Sequence, residues 1–359
     1  MNTESLSLSS RQHVNDKQVA IWLLFVAAVI FFMIILGGVT RLTHSGLSMV
    51  DWNPIMGTIP PITEADWMTT FSRYQEFPEY QKVNRGMTLE AFKSIFYFEY
   101  FHRVLGRLIG LLFLAPFMFF WFKGAIRRPM LPQMIAMFVL GGLQGLLGWY
   151  MVKSGLVKDP QVSQYRLTAH LISAVLIYSY ILWVAFGLLK IPNDRVVDDA
   201  ERKLYRYAIA LTSLMILMIA SGGFVAGTKA GFAYSTFPLM DGQFIPKGMY
   251  TLQPFWSNWF ENITTIQFNH RMFAYLLVLI VPLFCFAVRR LGGTNRSRLA
   301  AHLLLAMLVI QVTLGVATIL LKVPVVIAAS HQGGAVLLLS IIIFITREIR
   351  PDETGGEGG

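Results

Sequence analysis

The chain alternates between long apolar runs and shorter polar segments. Eight runs reach about 20 residues, the length that a helix needs to cross the hydrocarbon core of a bilayer. Because backbone polar groups cannot stay unpaired in lipid, each run is predicted to be a helix. The predicted spans are 20–39, 103–122, 131–151, 167–189, 207–227, 271–288, 300–321 and 325–346. The pattern therefore predicts an all-α integral membrane protein with eight transmembrane helices.

Composition and charge agree with this class. Of the 359 residues, 55% are apolar and 14% are charged, whereas a soluble domain carries about 25% charged residues. The net charge of +10 does not indicate nucleic acid, because the cations cluster in loops that share one side of the predicted zigzag. Examples are Lys123, Arg127, Arg128, Lys190, Arg206, Arg289, Arg290 and Arg347. The positive-inside rule then predicts that both termini lie in the cytoplasm. Because residues 1–19 contain Glu4 and Asp16 and few arginines, they do not resemble an organelle transit peptide, and we expect a bacterial inner (plasma) membrane.

The eight spans contain an internal repeat of four. Landmarks recur in the same order in both halves: a glycine pair that closes a helix, a His-Arg pair, a glutamine and a histidine. They are Gly37-Gly38, His102-Arg103, Gln144 and His170, then Gly222-Gly223, His270-Arg271, Gln311 and His331. A duplicated unit of four helices keeps its orientation in the membrane, so we expect two pseudo-symmetric four-helix bundles.

The repeat also gives the expected division of the chain. It consists of a cytoplasmic tail, a first half, a cytoplasmic linker, a second half and a second cytoplasmic tail: 1–19, 20–189, 190–206, 207–346 and 347–359. Residues 62–77 of the first outer segment mix aromatic and acidic side chains, which predicts short amphipathic helices near the outer surface. Small-residue pairs such as Gly141/Gly145 and Gly223/Gly227 let helices approach closely, and we assign them packing alone.

Four of the seven histidines occupy equivalent positions at the predicted outer ends of even-numbered spans. They are His102, His170, His270 and His331. A single buried histidine is most simply satisfied by a hydrogen bond, but four equivalent ones in membrane helices indicate a functional site. Zinc usually takes three or four ligands, whereas two facing histidines fit a haem iron ligated on both faces. The other three histidines (His13, His44 and His302) are assigned surface or packing roles.

The two predicted haem sites lie towards the periplasm and differ in one residue. Glu99 precedes His102 by three positions and therefore shares its helix face, while the matching residue in the second half is Gln267. Glu99 could merely pair with Arg103, but a single carboxylate is also expected if one haem is substrate and the other cofactor. Arginines beside the histidines are candidates to bind haem propionates. These are Arg103, Arg166 and Arg271.

The motifs resemble those of the haem A synthase family over residues 20–346. The matching segments are Gly37 to Ser48, Glu99-Tyr100-Phe101-His102-Arg103, Asn269-His270-Arg271 and His331-Gln332. Some bacterial members carry a pair of outer-loop cysteines. The one cysteine here is Cys285, within a predicted helix, so the chain resembles the cysteine-free branch shared by bacteria and mitochondria.

The resemblance implies an oxidoreductase that converts the C8 methyl group of haem O to a formyl group, giving haem A for terminal oxidase assembly. Water would supply the oxygen, and an external acceptor would take the electrons. The resemblance assigns substrate haem to His102 and His170, with Glu99 catalytic, and haem b to His270 and His331. Candidate partners are haem O, haem O synthase, an electron-transfer protein, membrane lipid and further copies of the chain.

Two other classes use the same histidine pairs. A di-haem b electron-transfer protein would usually stack its haems towards opposite membrane faces, whereas all four histidines here are predicted on one side. A haem transporter or chaperone would hold haem loosely, and Glu99 would be incidental to it. The distinguishing question is whether Glu99 changes the chemistry or only the occupancy.

Overall fold

The structure is a computed structural model that describes residues 3–50, 56–157, 159–190, 198–291 and 293–351. The predicted linker and C-terminal tail lie partly outside these residues, at 191–197 and 352–359. Ten α-helices form within the described part of the chain. They are α1 (Thr3–Leu42), α2 (Glu64–Gln75), α3 (Pro78–Lys82), α4 (Leu89–Phe122), α5 (Leu131–Lys153), α6 (Gln164–Leu188), α7 (Asp199–Gly227), α8 (Ile263–Arg290), α9 (Asn295–Leu320) and α10 (Val325–Glu348).

All eight predicted spans are present as helices, and the class of multi-pass membrane protein is confirmed. The helices α1 and α4 to α10 are long and apolar enough to cross a bilayer. Several begin earlier than their apolar runs. The helix α4 starts after the N-cap Thr88, whose side chain accepts a hydrogen bond from the Ala91 backbone, and α8 starts after the N-cap Asn262. The segment predicted as an N-terminal tail is helical from Thr3 and continuous with the first span.

The spanning helices make the same ring of contacts in each half. In the first half, α1 packs on α4 and α6, and α5 packs on α4 and α6. In the second half, α7 packs on α8 and α10, and α9 packs on α8 and α10. The halves meet where α6 contacts α7 and α10, and where α1 contacts α10. Corresponding helices thus make corresponding contacts in the two halves, and the pseudo-symmetric relation between the halves stays a prediction.

Polar contacts tie the chain together at the end of the bundle that carries the cationic loops. Arg127, between α4 and α5, pairs with Asp16 of α1. Lys190, after α6, donates from Nζ to the backbone oxygen of Arg350 at 2.7 Å. These contacts place the α4–α5 loop beside α1, and the end of α6 beside the end of α10.

An aromatic cluster anchors the first outer segment at the opposite end. Trp67 and Tyr74 of α2 are buried against Phe92 and Phe96 of α4. The Trp67 and Phe96 rings meet edge to face at 5.0 Å between centroids. The stretch 62–77 therefore contains one short helix, α2, which packs on the part of α4 that precedes the apolar run. The next helix, α3, follows this stretch and packs on α2.

Both long outer segments begin at a left-handed residue. His44 follows α1 with φ 54°, and Lys229 follows α7 with φ 58°. A residue in this conformation ends a helix and turns the chain back over its last turn. Accordingly, the Ser45 amide donates to the Thr40 carbonyl at 2.9 Å. The turn brings residues 45–50 back across the outer face of the first half.

Candidate functional site

The first half brings His102 of α4 and His170 of α6 close enough to interact electrostatically. Each imidazole lies against a glycine of a neighbouring helix. A Cβ atom on Gly37 would lie 3.0 Å from Cε1 of His102, and one on Gly148 would lie 2.9 Å from Cε1 of His170. Both glycines therefore make room for an imidazole ring.

The second half repeats this arrangement with His270 of α8 and His331 of α10, which also lie within electrostatic range. A Cβ atom on Gly222 would lie 3.3 Å from Cε1 of His270. One on Gly315 would lie 2.8 Å from Cε1 of His331. The four glycines thus occupy corresponding places in the two halves.

These pairs fit a haem iron with two axial imidazoles. The described residues contain no group of three or more His, Cys, Asp or Glu that could hold a metal ion, so each pair offers two ligands. The imidazoles are accommodated between helices by glycines whose place a side chain would fill. Two neutral imidazoles within an apolar helix bundle are the donor set that a bis-histidine haem requires.

Glu99 is buried and bonded on both carboxylate oxygens. Its Oε2 accepts from the Ser48 hydroxyl and from the Met49 amide, each at 2.8 Å. Its Oε1 accepts from Nη2 of Arg103 at 2.5 Å, and the same nitrogen donates to the Met49 carbonyl at 2.7 Å. The Glu99–Arg103 pair therefore fixes the turn after α1 to the helix that carries His102.

The corresponding residues of the second half hold the corresponding outer segment without an ion pair. Nε2 of Gln267 donates to the Tyr234 carbonyl at 2.9 Å. Arg271 donates from Nη1 to the Thr236 carbonyl at 2.9 Å and from Nη2 to Tyr234 at 3.2 Å. The outer segments are thus held in parallel ways, but a carboxylate is present only in the first half's version of this contact.

The three predicted propionate arginines lie beside the histidine helices with different surroundings. Arg103 and Arg271 are bonded to the outer segments as described, and Nε of Arg271 is buried with no partner among the described residues. Arg166 donates from Nη1 to the Tyr150 carbonyl at 2.9 Å and stacks on the Tyr150 ring at 3.7 Å from its centroid. Their binding of propionates stays a prediction.

One buried carboxyl group outside the spans, that of Glu79, was not predicted from the sequence. Glu79 in α3 is 4% exposed, and its Oε2 has no partner among the described residues. Burial raises the pKa of Glu79 from 4.5 to about 7, opposed by the positive charge of Lys229 from the second half. A single acid in a polar loop gives no sequence signal of burial, because the packing of α3 decides it.

The fold defines a class: a multi-pass membrane protein, in which two pairs of histidines lie close together within the helices. Comparison with known families matches residues 20–343 to the cytochrome oxidase assembly protein family COX15-CtaA. A "Heme A synthase" of Nitrosospira multiformis is 50% identical over 93% of this chain and 94% of its own. That of Nitrosomonas eutropha is 50% identical over 97% and 98%, and that of Rhodospirillum centenum 45% over 98% and 94%.

The chain belongs to the haem A synthase family. The family predicted from the motifs is therefore confirmed. Membership in a family of enzymes favours an oxidoreductase over the two alternatives, an electron carrier and a haem transporter.

Proposed function

We propose that this protein oxidises the C8 methyl group of haem O to a formyl group and so makes haem A for terminal oxidases. The support is the family together with one observation at the site. Only the first of two similar histidine sites carries a buried, ion-paired carboxylate, Glu99, one turn from an axial histidine. The asymmetry matches a division between a substrate site and a cofactor site.

In this proposal His102 and His170 bind the iron of haem O, and His270 and His331 bind a resident haem b. Arg103 and Arg166 serve the substrate propionates, and Arg271 serves those of the cofactor. When bound, the haem b would supply one-electron transfer. The protein's own contribution is to hold the substrate's methyl group beside Glu99 and to shield it under the outer segment.

The reaction balances with water as the oxygen source. The methyl group and one water give an alcohol with release of two protons and two electrons. A second oxidation with another water gives the hydrated aldehyde, again with two protons and two electrons, and loss of water leaves the formyl group. The four electrons pass to an external acceptor.

Glu99 is suited to stabilise positive charge that develops on the methyl carbon and to receive a proton from water. Its orientation is fixed by three donors, from Ser48, Met49 and Arg103. A carboxylate that is already oriented needs no rearrangement when charge develops, which is the main advantage of a preorganised site. Gln267 at the matching place carries no charge and cannot take this role.

The protein is proposed to lie in a bacterial inner membrane with both termini in the cytoplasm and the histidine sites towards the periplasm. The cationic loops lie at one end of the bundle, and the outer segments with the histidine sites lie at the other. Haem O is the proposed substrate. A haem O synthase, an electron-transfer protein and further copies of the chain are the proposed protein partners.

The test is chromatography of haem extracted from cells that express the protein with a haem O source. We expect haem A from the wild type, and haem O or the alcohol from Glu99→Gln. The matched control, Gln267→Ala, alters the same place in the second half and should still make haem A. If neither the wild type nor the variants make haem A and all carry only haem b, the hypothesis of a di-haem b electron-transfer protein replaces the proposed reaction.

A further inference from the structure

In an axial histidine, the hydrogen bond made by the ring nitrogen that does not bind iron affects how strongly the other nitrogen binds it. A histidine that donates Nδ1–H to an acceptor keeps Nε2 unprotonated, orients the ring and becomes a stronger ligand. Loss of such a contact typically costs about 10- to 100-fold in metal affinity. The two halves of this protein differ at this atom.

In the second half, the hydroxyl of Ser221 in α7 accepts a hydrogen bond from Nδ1–H of His270. Its Oγ lies 2.7 Å from that nitrogen and donates to the Met218 carbonyl, also at 2.7 Å. Because a hydroxyl has one proton and gives it to the carbonyl, it presents a lone pair to His270. The network therefore assigns the proton to Nδ1 and leaves Nε2 for iron.

In His331, the other histidine of the second half, the proton is likewise fixed on Nδ1. Its Nδ1 lies 3.2 Å from the backbone oxygen of Gln311, and a carbonyl oxygen can only accept. Both second-half imidazoles thus carry their proton on Nδ1 before any haem is bound.

In the first half, neither histidine has such an acceptor within the part of the chain that the structure describes. Nδ1 of His102 is buried without a partner among the described residues. Gly37 lies against the His102 ring as Gly222 lies against His270, but the residue before Gly37 is Leu36, where the second half has Ser221. Leucine has no polar atom to offer.

The remaining histidine, His170, faces a donor instead. Nε2 of Gln144 lies 3.1 Å from its Nδ1 and 2.8 Å from its backbone oxygen. The other end of the amide is fixed by Ser173, whose hydroxyl donates to Oε1 of Gln144 at 2.5 Å. An amide nitrogen cannot accept a hydrogen bond from Nδ1–H, so Nδ1 of His170 acts as the acceptor and the proton lies on Nε2, the atom that must bind iron.

We propose that Ser221 is a positioning residue that makes His270 a strong ligand for a permanently held haem, and that Leu36 leaves His102 a weaker ligand for a haem that exchanges. This rests on the proposed function in one respect, the need for the first half to release its product. The Nδ1 contacts do not involve Glu99, and they indicate the same division between the halves.

The test replaces each of the two residues separately in the whole chain, purified with its haems. Release of haem to excess apomyoglobin should be biphasic in the wild type. Ser221→Ala should accelerate the slow phase by about 10- to 100-fold and raise the midpoint potential of the retained haem, because a weaker histidine donor stabilises ferric iron less. Leu36→Ser should slow the fast phase.

Two further variants separate positioning from general damage. Ser221→Thr keeps the hydroxyl and should restore the slow phase. Ser179→Ala removes a hydroxyl that donates to the Val175 carbonyl and should change neither phase. Unchanged slow-phase release and an unchanged potential in a folded Ser221→Ala protein would overturn the proposal.

Chromatography of the released haem separates this proposal from the proposed function. Haem O or haem A in the fast phase and haem b in the slow phase support both. If the variants act as expected but both phases contain haem b, the positioning role stands and the proposed reaction falls. If haem A is made but Ser221→Ala releases haem b at the wild-type rate, the reverse holds.

Discussion

Nη2 of Arg103 lies 2.5 Å from Oε1 of Glu99, one turn earlier in α4, with side-chain exposures of 9% and 3%. The pair also binds the turn formed by Ser48 and Met49. The Glu99 carboxylate thus has two roles that can be tested separately. It holds the turn after α1 in place, and it is the proposed reacting group beside His102.

The first prediction separates these duties. Glu99→Ala removes the carboxylate that forms an ion pair with the buried Arg103 guanidinium, so we expect a loss of about 3–5 kcal/mol in stability together with loss of haem A. Glu99→Ala combined with Arg103→Leu removes both charges and should recover much of that stability without recovering activity. Thermal unfolding and haem chromatography of the same preparations measure the two effects. Recovery of haem A by the double variant would show that Glu99 acts only through the fold.

The second prediction concerns the glycines that accommodate the imidazoles. Gly148→Ala places a Cβ atom 2.9 Å from Cε1 of His170, so the ring must shift and the first half should bind haem poorly. Gly145→Ala on the same helix is the control, because nothing lies within 4 Å of its added Cβ. The haem-to-protein ratio of the purified variants is the measurement. Equal ratios for the two variants would contradict the assigned role of Gly148.

The third prediction applies the same reasoning to the second half. Gly315→Ala places a Cβ atom 2.8 Å from Cε1 of His331. We expect loss of the haem b signal, whereas Gly148→Ala should spare it. Redox difference spectra of the two variants distinguish the sites. Loss of the same haem signal from both would show that the halves do not bind haem independently.

The fourth prediction follows from Glu79. Its pKa in the folded protein is raised from 4.5 to about 7, so between these values the folded state binds more protons than the unfolded state. Stability should therefore fall as pH rises through this window, by up to about 3 kcal/mol. Thermal unfolding, measured at steps of about one pH unit from about pH 5 to about pH 8, should show this trend.

Glu79→Gln should flatten that trend and stabilise the protein at the upper end of the range. Lys229 and Tyr74 interact electrostatically with Glu79, and both residues are unchanged in this variant. The exposed Glu76 provides the control, since Glu76→Gln should leave the wild-type trend intact. A trend that persists in Glu79→Gln would assign it to another group.

The spans were predictable because lipid imposes a direct relation between apolar length and helix. Their outer ends were not, since hydropathy reports only the part within the hydrocarbon. The start of α4 depends on Thr88 as a cap and on packing of Phe92 and Phe96 under α2. At the opposite end of the bundle, the start of α7 likewise depends on an N-cap: the Asp198 side chain accepts a hydrogen bond from the Glu201 amide.

The histidines and Glu99 were visible in the sequence because duplication marks equivalent positions. Their surroundings were not, because the rotation of each helix decides them. Gly148 and Gly315 contact histidines, whereas Gly141 and Gly145, which the spacing assigned to packing, have no neighbour within 4 Å of an added Cβ. Gly223 does pack closely, with Thr168 Oγ1 at 2.9 Å from an added Cβ.

The most direct test of the central claim is turnover by the purified protein. Haem O is supplied with a chemical electron acceptor, and the products are followed by chromatography while reduction of the acceptor is measured. We expect that haem O passes through an alcohol to haem A, with four electrons taken up by the acceptor per haem A, and that Glu99→Gln arrests this conversion. Recovery of unchanged haem O from a wild-type protein that holds both haems would contradict it.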